Sequence, residues 1–206
     1  MVKRGAKAPL ETSLGLRARG TMGASTNPWP CPMLVTRLLS RDALAYRALM
    51  LHAYEAEAEA FTSTAAERAH EPESWWTKRV ADPNELSVVF GAFRGEELVG
   101  AVALEFSAKP KTRHKAQLLG MFVTESARGL GAGRALLEAA LALAASREET
   151  RVVQLTVTQG NEPAQRLYES CGFRSFGVEP LAVLTHVGFK AKVHMWIELP
   201  CHAAPG

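Results

Sequence analysis

A glycine-rich segment, Arg128-Gly-Leu-Gly-Ala-Gly133, lies between a short apolar run and a stretch rich in alanine and leucine. Glycine lets a backbone approach a ligand closely, and the first N–H groups of a helix have no partner within that helix. The helix dipole adds positive potential at the same point, so the arrangement favours an anion. Arg128 and Arg134 flank the glycines and can donate charged hydrogen bonds to a phosphate. The segment therefore predicts a strand, a phosphate-binding loop and a helix in succession.

The spacing of these glycines excludes two common phosphate-binding motifs. A P-loop needs GxxxxGK[ST], and no Lys followed by Ser or Thr comes after the glycines. A dinucleotide fingerprint needs GxGxxG, but Arg134 stands where the third glycine belongs. The pattern that fits is Arg-x-x-Gly-x-Gly. For this segment taken alone, a glycine-rich turn without a ligand remains the alternative.

A second informative segment runs from Asn161 to Phe173. Asn161, Ala164 and Tyr168 follow the i, i+3, i+7 spacing, which places them on one face of a helix. Gly172 then predicts the end of that helix. Taken singly, an asparagine here is more often a helix cap and a tyrosine more often a packed core residue. Together the three offer an amide, a small residue and a phenol along one face.

The order of hydrophobic patterns predicts a three-layer α+β domain, with a mixed, mainly antiparallel sheet covered by helices. We expect strands near Leu34–Leu39, Leu86–Phe93, Leu98–Phe106, Ala116–Val123, Arg151–Thr158, Phe173–Leu184 and Phe189–Leu199. We expect helices after a Ser40 cap, within the helix-prone residues 55–80, at Ala135–Ser146 and at Asn161–Ser170. The predicted order is β-α-α-β-β-β-α-β-α-β-β.

We expect the two ends of the chain to be tails outside the folded domain. Residues 1–32 carry five basic residues and one acidic residue, lack apolar periodicity and end in Asn-Pro-Trp-Pro-Cys-Pro, so we expect a disordered basic tail. Residues 33–200 form the predicted domain, and residues 201–206 a short C-terminal tail. We expect the first tail to be dispensable, with Met22 and Met33 as alternative translation starts.

Composition narrows the function classes. Hydrophobic residues make up 47% and charged residues 22%, as in globular proteins, and no apolar run approaches about 18 residues. No apolar stretch follows the basic N-terminus, so no secretory signal is predicted.

Cys31, Cys171 and Cys201 form no CxxC pair, which favours a reducing compartment, and we expect the cytoplasm. The six histidines show no ligand spacing, so no metal is expected. The net charge of +3 resides in the tail, so nucleic acid is not an expected partner.

The two segments together resemble the GNAT superfamily of N-acetyltransferases, in a bacterial-type form. The resemblance follows element order over about residues 34–199. It is strongest through Met121-Phe-Val-Thr-Glu-Ser-Ala-Arg-Gly-Leu-Gly-Ala-Gly133 and through the stretch from Asn161 to Phe173. It implies a sheet that splays open near its fourth strand, and acetyl-CoA as co-substrate without a metal.

The resemblance also assigns roles to the matching positions. The backbone of Met121, Phe122 and Val123 would hydrogen-bond the pantetheine arm and polarise the thioester carbonyl. The pyrophosphate would lie on Arg128, Gly129, Leu130, Gly131, Ala132, Gly133 and Arg134. Asn161 would bind the cofactor arm beside Ala164, and Tyr168 would protonate the departing thiolate.

The general base is less clear from the sequence. Many relatives carry a carboxylate on the fourth strand, whereas this strand reads Gln-Leu-Leu-Gly-Met-Phe-Val and has none. Glu105 on the preceding strand is the best substitute, because alternation places it on the face of the small residues Ala101 and Ala103. A solvent-facing carboxylate at that position is the alternative. We expect His114 on the surface, His194 satisfied within a strand, and Cys171 as a packing residue.

These observations predict an acetyl-CoA-dependent N-acetyltransferase in which a primary amine attacks the thioester directly. The alternative is a catalytically silent acyl-CoA-binding or regulatory module of the same fold. The acceptor stays open between a small molecule and a peptide amine, as does a homodimer. We expect residues 50–80 to form one wall of the acceptor pocket. There Glu55, Glu57, Glu59 and Glu73 would suit a cationic amine or simply face solvent.

Overall fold

The computed structural model describes residues 33–200, which form a seven-stranded sheet with helices on both faces. Its strands are β1 (Met33–Arg37), β2 (Ser87–Arg94), β3 (Glu97–Phe106), β4 (Lys115–Val123), β5 (Val152–Thr158), β6 (Arg174–Thr185) and β7 (Gly188–Glu198). Its helices are α1 (Ala43–Ala56), α2 (Ala65–Ala69), α3 (Glu73–Val80), α4 (Ala132–Ser146) and α5 (Glu162–Ser170). The tails expected at residues 1–32 and 201–206 lie outside the described residues.

The strands are ordered β1-β2-β3-β4-β5-β7-β6. Every neighbouring pair is antiparallel except β4 and β5, which are parallel. The predicted mixed, mainly antiparallel sheet is therefore confirmed. The parallel pair needs a crossover connection, and α4 supplies it between β4 and β5.

The parallel pair separates almost as soon as it forms. Only residues 115–117 of β4 pair with residues 152–154 of β5, and residues 118–123 of β4 have no partner in β5. On its other side, β4 carries a bulge against β3. Between the pairs Ala101↔Phe122 and Ala103↔Leu119, two residues of β4 stand opposite the single residue Val102 of β3. Gly120 occupies the bulge at φ +63°, a conformation that favours glycine. The predicted splay at the fourth strand is thus present, with a bent strand on one side of it.

Two helical layers bury the two faces of the sheet. Successive side chains of a strand point to opposite faces, so the buried strands β2 and β3 supply both cores. On one face Val88, Val102 and Leu104 pack in the same core as Leu136, Leu137 and Ala140 of α4. On the other face Val89, Ala101 and Ala103 pack in the same core as Met50 and Ala53 of α1 and Trp76 of α3. The gap between β4 and β5 therefore opens between the two layers.

Two predicted helix starts are wrong. Ser40 does not cap a helix: it begins a short 3₁₀ turn in which the Asp42 carboxylate accepts the Leu39 N–H at 2.8 Å, and α1 begins at Ala43. Helix α4 begins at Ala132 rather than Ala135, with Gly131 as its N-cap in the left-handed conformation. Glycine usually weakens a helix, which hides this start in the sequence.

The segment 55–80 holds more helices than the predicted order allows. Helix α1 ends at Ala56, and α2 and α3 follow after the loop 57–64, so three α-helices rather than two connect β1 to β2. Thr64 caps α2 by accepting the Glu67 N–H at 3.2 Å, while the Glu67 carboxylate accepts the Thr64 N–H at 2.8 Å. This reciprocal capping box fixes where the loop ends.

The edge strand β6 forms a hairpin with β7 and presents most of its own side chains to solvent. Exposed apolar residues include Phe176, Val178, Leu181, Leu184 and Phe189. The hairpin contacts the loop 57–64 through an ion pair between Lys190 and Glu59. Among the described residues, no helix has the length and apolarity needed to cross a membrane.

Candidate functional site

Two cavities meet where β4 and β5 separate. The first, here called the glycine-loop cleft, has a volume of about 540 Å³ and is lined by Glu57, the end of β4, the loop 127–134 and the start of α5. The second, here called the inner cavity, has a volume of about 400 Å³ and lies among α1, α2, α3 and strands β3, β4, β5 and β7. Six residues line both cavities: Ala60, Phe61, Met121, Asn161, Ala164 and Leu167.

The glycine loop presents backbone to the cleft. Gly129 and Gly131 have φ values of +74° and +84°, and a Cβ at either would meet no atom within 4 Å. Both glycines are therefore required by backbone conformation, and the space beside them is open. The first hydrogen bond of α4 runs from the Ala135 N–H to the Gly131 carbonyl at 3.0 Å. The N–H groups of residues 132–134 have no acceptor in the described part of the chain, so they are available to an anion.

Both flanking arginines already hold partners within the protein. Arg128 donates from Nε to the Val123 carbonyl at 3.1 Å and from Nη2 to Glu57 Oε1 at 2.6 Å. Arg134 donates from Nη2 to the Ser170 hydroxyl at 2.8 Å. Both side chains are half-exposed and line the cleft. An anion bound here would compete with Glu57 for Arg128.

The structure brings together most of the residues predicted to hold a cofactor. The cleft is lined by Met121, Phe122, Val123, Arg128, Gly129, Gly131, Gly133, Arg134, Asn161 and Ala164. The Leu130 side chain is instead exposed and that of Ala132 buried, so these two can contribute only backbone groups. Tyr168 lines the inner cavity and not the cleft.

Asn161 caps α5 and also reaches both cavities. Its Oδ1 accepts the Ala164 N–H at 3.2 Å, which satisfies one of the free donors at the helix start. The capping bond uses the oxygen of the amide and leaves the Nδ2 donors. The residue can therefore be both a cap and a ligand, and the two interpretations of the sequence do not compete.

Tyr168 is a buried phenol at the end of the same helical face. Its ring packs in a T-shape against Phe173, with centroids 5.9 Å apart, in the core on the α4 side of the sheet. The residue nevertheless lines the inner cavity on the far side of the gap. Within residues 33–200 its hydroxyl has no hydrogen-bond partner. Burial raises the pKa of the phenol, so it stays protonated at neutral pH.

Glu105 also lines the inner cavity, where it forms an ion pair that the sequence did not indicate. Arg79 Nη1 lies 3.1 Å from Glu105 Oε1, and both residues line the cavity. In register, Glu105 stands opposite Gln117 of β4. The carboxylate is partly exposed, so it combines features of both interpretations: it faces a cavity and still contacts solvent. Glu105 and Tyr168 thus share one cavity.

The sequence missed a group of aromatic and basic residues that surrounds this ion pair. The group comprises Tyr46 and Tyr54 of α1, Arg68 of α2, Trp75 and Arg79 of α3, and Lys192 of β7. The spacings carried a signal, because Trp75 and Arg79 are four residues apart and Tyr46 and Tyr54 eight apart, which places each pair on one helix face. Which of those faces meet one another depends on tertiary packing.

The remaining sequence candidates lie away from the cavities. His194 contacts Glu179 at 3.0 Å, and Cys171 lies beside Arg134 at the end of α5. Neither of them nor His114 lines either cavity. Residues 50–80 do line the inner cavity, as expected of one wall, but none of the four glutamates does. In residues 33–200, no group of three or more His, Cys, Asp or Glu side chains could hold a metal ion.

We expect Tyr168→Phe to reduce the loss of stability at alkaline pH. An unfolded tyrosine loses its proton near about pH 10, whereas the raised pKa of Tyr168 keeps the folded phenol protonated. The folded state then binds more protons, so the free energy of unfolding falls as pH rises above about 10. Between about pH 9 and pH 11, Tyr168 should lower the free energy of unfolding of the wild type by about 1.4 kcal/mol. Urea unfolding of the wild type and of Tyr168→Phe would measure this loss. At pH 7 the two should agree within about 1 kcal/mol, and equal alkaline losses would contradict the raised pKa.

Comparison with known proteins supplies the family. The model of the acetyltransferase (GNAT) family matches residues 50–173, more than half of the chain. Streptothricin acetyltransferase of Escherichia coli is 33% identical over 98 residues, which cover 48% of this chain and about half (53%) of that relative. An acetyltransferase of the GNAT family from Streptococcus pneumoniae has the same fold, with a TM-score of 0.69 at 22% identity over 82% of this chain and 100% of that chain. The yncA protein of Salmonella typhimurium, solved with its cofactor acetyl-CoA, gives a TM-score of 0.68 at 20% identity over 85% of this chain and 98% of that chain. The chain belongs to the acetyltransferase (GNAT) family.

Proposed function

We propose that this acetyltransferase uses acetyl-CoA and transfers the acetyl group to a primary amine by direct attack on the thioester. One observation carries the proposal: a buried, protonated Tyr168 without a hydrogen-bond partner in the described residues faces the inner cavity, which shares residues with the glycine-loop cleft. A phenol whose hydroxyl faces such a junction without a partner is suited to donate a proton. A pyrophosphate-bearing thioester in the cleft would bring a leaving group to it.

The glycine-loop cleft suits the pyrophosphate of CoA. Three free N–H groups at the start of a 15-residue helix point to an anion, and two glycines leave the approach open. Beyond the loop, residues 118–123 of β4 lack a strand partner on the β5 side, so their backbone groups can pair with the amides of an extended arm. The Asn161 amide would donate to the same arm from α5.

Acetyl-CoA supplies an activated thioester, and the chain supplies positioning and two proton transfers. Backbone N–H groups in Met121, Phe122 and Val123 would polarise the thioester carbonyl. As the C–N bond forms and the C–S bond breaks, Tyr168 would give its proton to the departing sulfur. Glu105 would accept the proton of the amine, directly or through water. Its ion pair with Arg79 fixes the position of the carboxylate.

The first prediction concerns the phosphate loop. CoA should raise the melting temperature of the wild type, because it binds the folded state alone, and Gly131→Val should abolish this rise. Valine at φ +84° is strained, and its side chain would stand in front of the free N–H groups. Gly95→Val is the matched control: Gly95 has φ +64°, no atom within 4 Å of an added Cβ, and lies in the β2–β3 turn. If CoA raises the melting temperature of both variants, or of neither, the phosphate-loop assignment is wrong.

The second prediction uses the ion pair at the mouth of the cleft. Glu57→Gln should strengthen CoA binding up to about fivefold, because it frees Arg128 from a contact worth about 0–1 kcal/mol. Arg128→Gln should weaken binding instead. Glu149→Gln breaks a comparable exposed pair with Arg113 at 3.1 Å and serves as the control. Isothermal titration with CoA would measure the dissociation constant of the wild type and of each of the three variants. Weaker binding by Glu57→Gln would show that Glu57 supports the site rather than competing in it.

The third prediction separates an enzyme from a silent binding module. The wild type should release the CoA thiol from acetyl-CoA at a rate that depends on added amine. Tyr168→Phe should lower kcat by about a hundredfold or more and leave the Kd for acetyl-CoA unchanged, because a general acid acts in the transition state. Binding of acetyl-CoA without release for any amine would favour the silent module. Equal loss of binding and rate in the variant would assign Tyr168 to packing.

A further inference from the structure

Building on the proposed acetyl transfer, we infer that the acceptor is an amine that also carries an anionic group, such as the carboxylate of an amino acid. The inference comes from the charges that line the inner cavity. Arg68, Arg79 and Lys192 line this cavity, and within residues 33–200 the single acidic residue of the lining is Glu105, which is already paired with Arg79. An acceptor with several amines and no acid would meet a cationic wall there, whereas a carboxylate would find partners.

Two of these cations contact one indole. The guanidinium carbons of Arg68 and Arg79 lie 4.7 and 5.1 Å from the centroid of the Trp75 ring. Such stacking fixes the planes of the guanidinium groups and leaves their edges to donate hydrogen bonds. Their two carboxylate partners, Glu71 and Glu105, come from different parts of the chain. Both arginines line the inner cavity with Trp75, so an anion bound there would meet them.

The position of the cations gives the acceptor an orientation. Trp75 packs against the core on the α1 side of the sheet, whereas Tyr168 of α5 belongs to the core on the α4 side. The cavity meets the cleft at Met121 and Asn161, where the thioester would arrive. An acceptor with its anionic group on the arginines beside Trp75 would therefore direct its amine towards Tyr168, and Glu105, paired with Arg79, would take the proton of the amine through water. The aromatic residues of the lining, Tyr46, Tyr54 and Phe61, suit an apolar body.

The acidic residues of the neighbourhood are directed elsewhere. Glu57 pairs with Arg128 at the cleft, and Glu59 pairs with Lys190 of β7. Neither lines the inner cavity. Of the carboxylates in residues 50–80, the one nearest to this group is Glu71, which pairs with Arg68 at 3.3 Å from outside the lining. Among the residues that the structure describes, the cavity thus has no acidic residue free to hold a second amine.

The test compares matched acceptors on the wild type. Each of the common amino acids is assayed beside its carboxamide, and leucine also beside 3-methylbutylamine, with rates expressed per neutral amine. We expect at least one carboxylate-bearing amine to exceed its neutral partner about tenfold or more in kcat/KM, the range of a charged hydrogen bond. A consistent preference for neutral or polycationic amines would overturn the inference and leave acetyl transfer standing. No transfer to any amine would overturn both.

Variants assign the preference to the cavity. Arg68→Gln should raise KM for the preferred carboxylate about tenfold or more while changing KM for its carboxamide little. The Kd for acetyl-CoA should stay unchanged. Arg113→Gln, which removes an equal charge from an exposed pair outside both cavities, is the control. Equal effects on carboxylate and carboxamide would overturn the inference. If a variant does not fold, the substrate comparison on the wild type still tests the inference.

Discussion

The parallel pairing of β4 with β5 ends after three residue pairs, and the site follows from that early end. A sheet that continued would fill its centre with backbone hydrogen bonds and leave no passage between its faces. The bulge at Gly120 bends β4 away while its pairing with β3 continues. Tyr168 can then belong to one core and line a cavity in the other layer. Helix α4, which begins beside the same gap, brings its free N–H groups to the mouth of the opening.

The segment between α1 and α2 completes the opening as a shared wall. Its Glu57 contacts the glycine loop, its Glu59 contacts β7, and the Glu59 carbonyl accepts the Thr158 hydroxyl of β5 at 3.0 Å. The segment therefore spans from the β4 side to the β5 side of the gap. Ala60 and Phe61 line both cavities, so one short stretch of chain borders both. A movement there would alter the two cavities together.

The sequence predicted those parts of the fold and site that are encoded locally. The glycine loop and the face of α5 are each contiguous, so spacing predicted each of them, and the resemblance to the GNAT superfamily implied that they share one site. The start of α4 was predicted three residues late, because Gly133 lies within the first turn and glycine lowers helix propensity. The Arg79–Glu105 and Arg128–Glu57 pairs join elements far apart in the chain, and no local pattern encodes them. The charge of the inner cavity therefore emerged only with the packing of α2 and α3.

The unpaired half of β4 has a second consequence, for the behaviour of the chain outside its folded state. Residues 118–123 read Leu-Leu-Gly-Met-Phe-Val, without a charge or a proline, and open sheet edges of this composition recruit other strands. Proteins usually guard such edges with lysine, proline or a bulge at the rim, but here the edge is interior and is covered by neighbouring elements. Detachment of α5 or of the segment 57–61 would uncover an aggregation-prone strand. The opening proposed to admit a ligand would thus also be a point at which misassembly can begin.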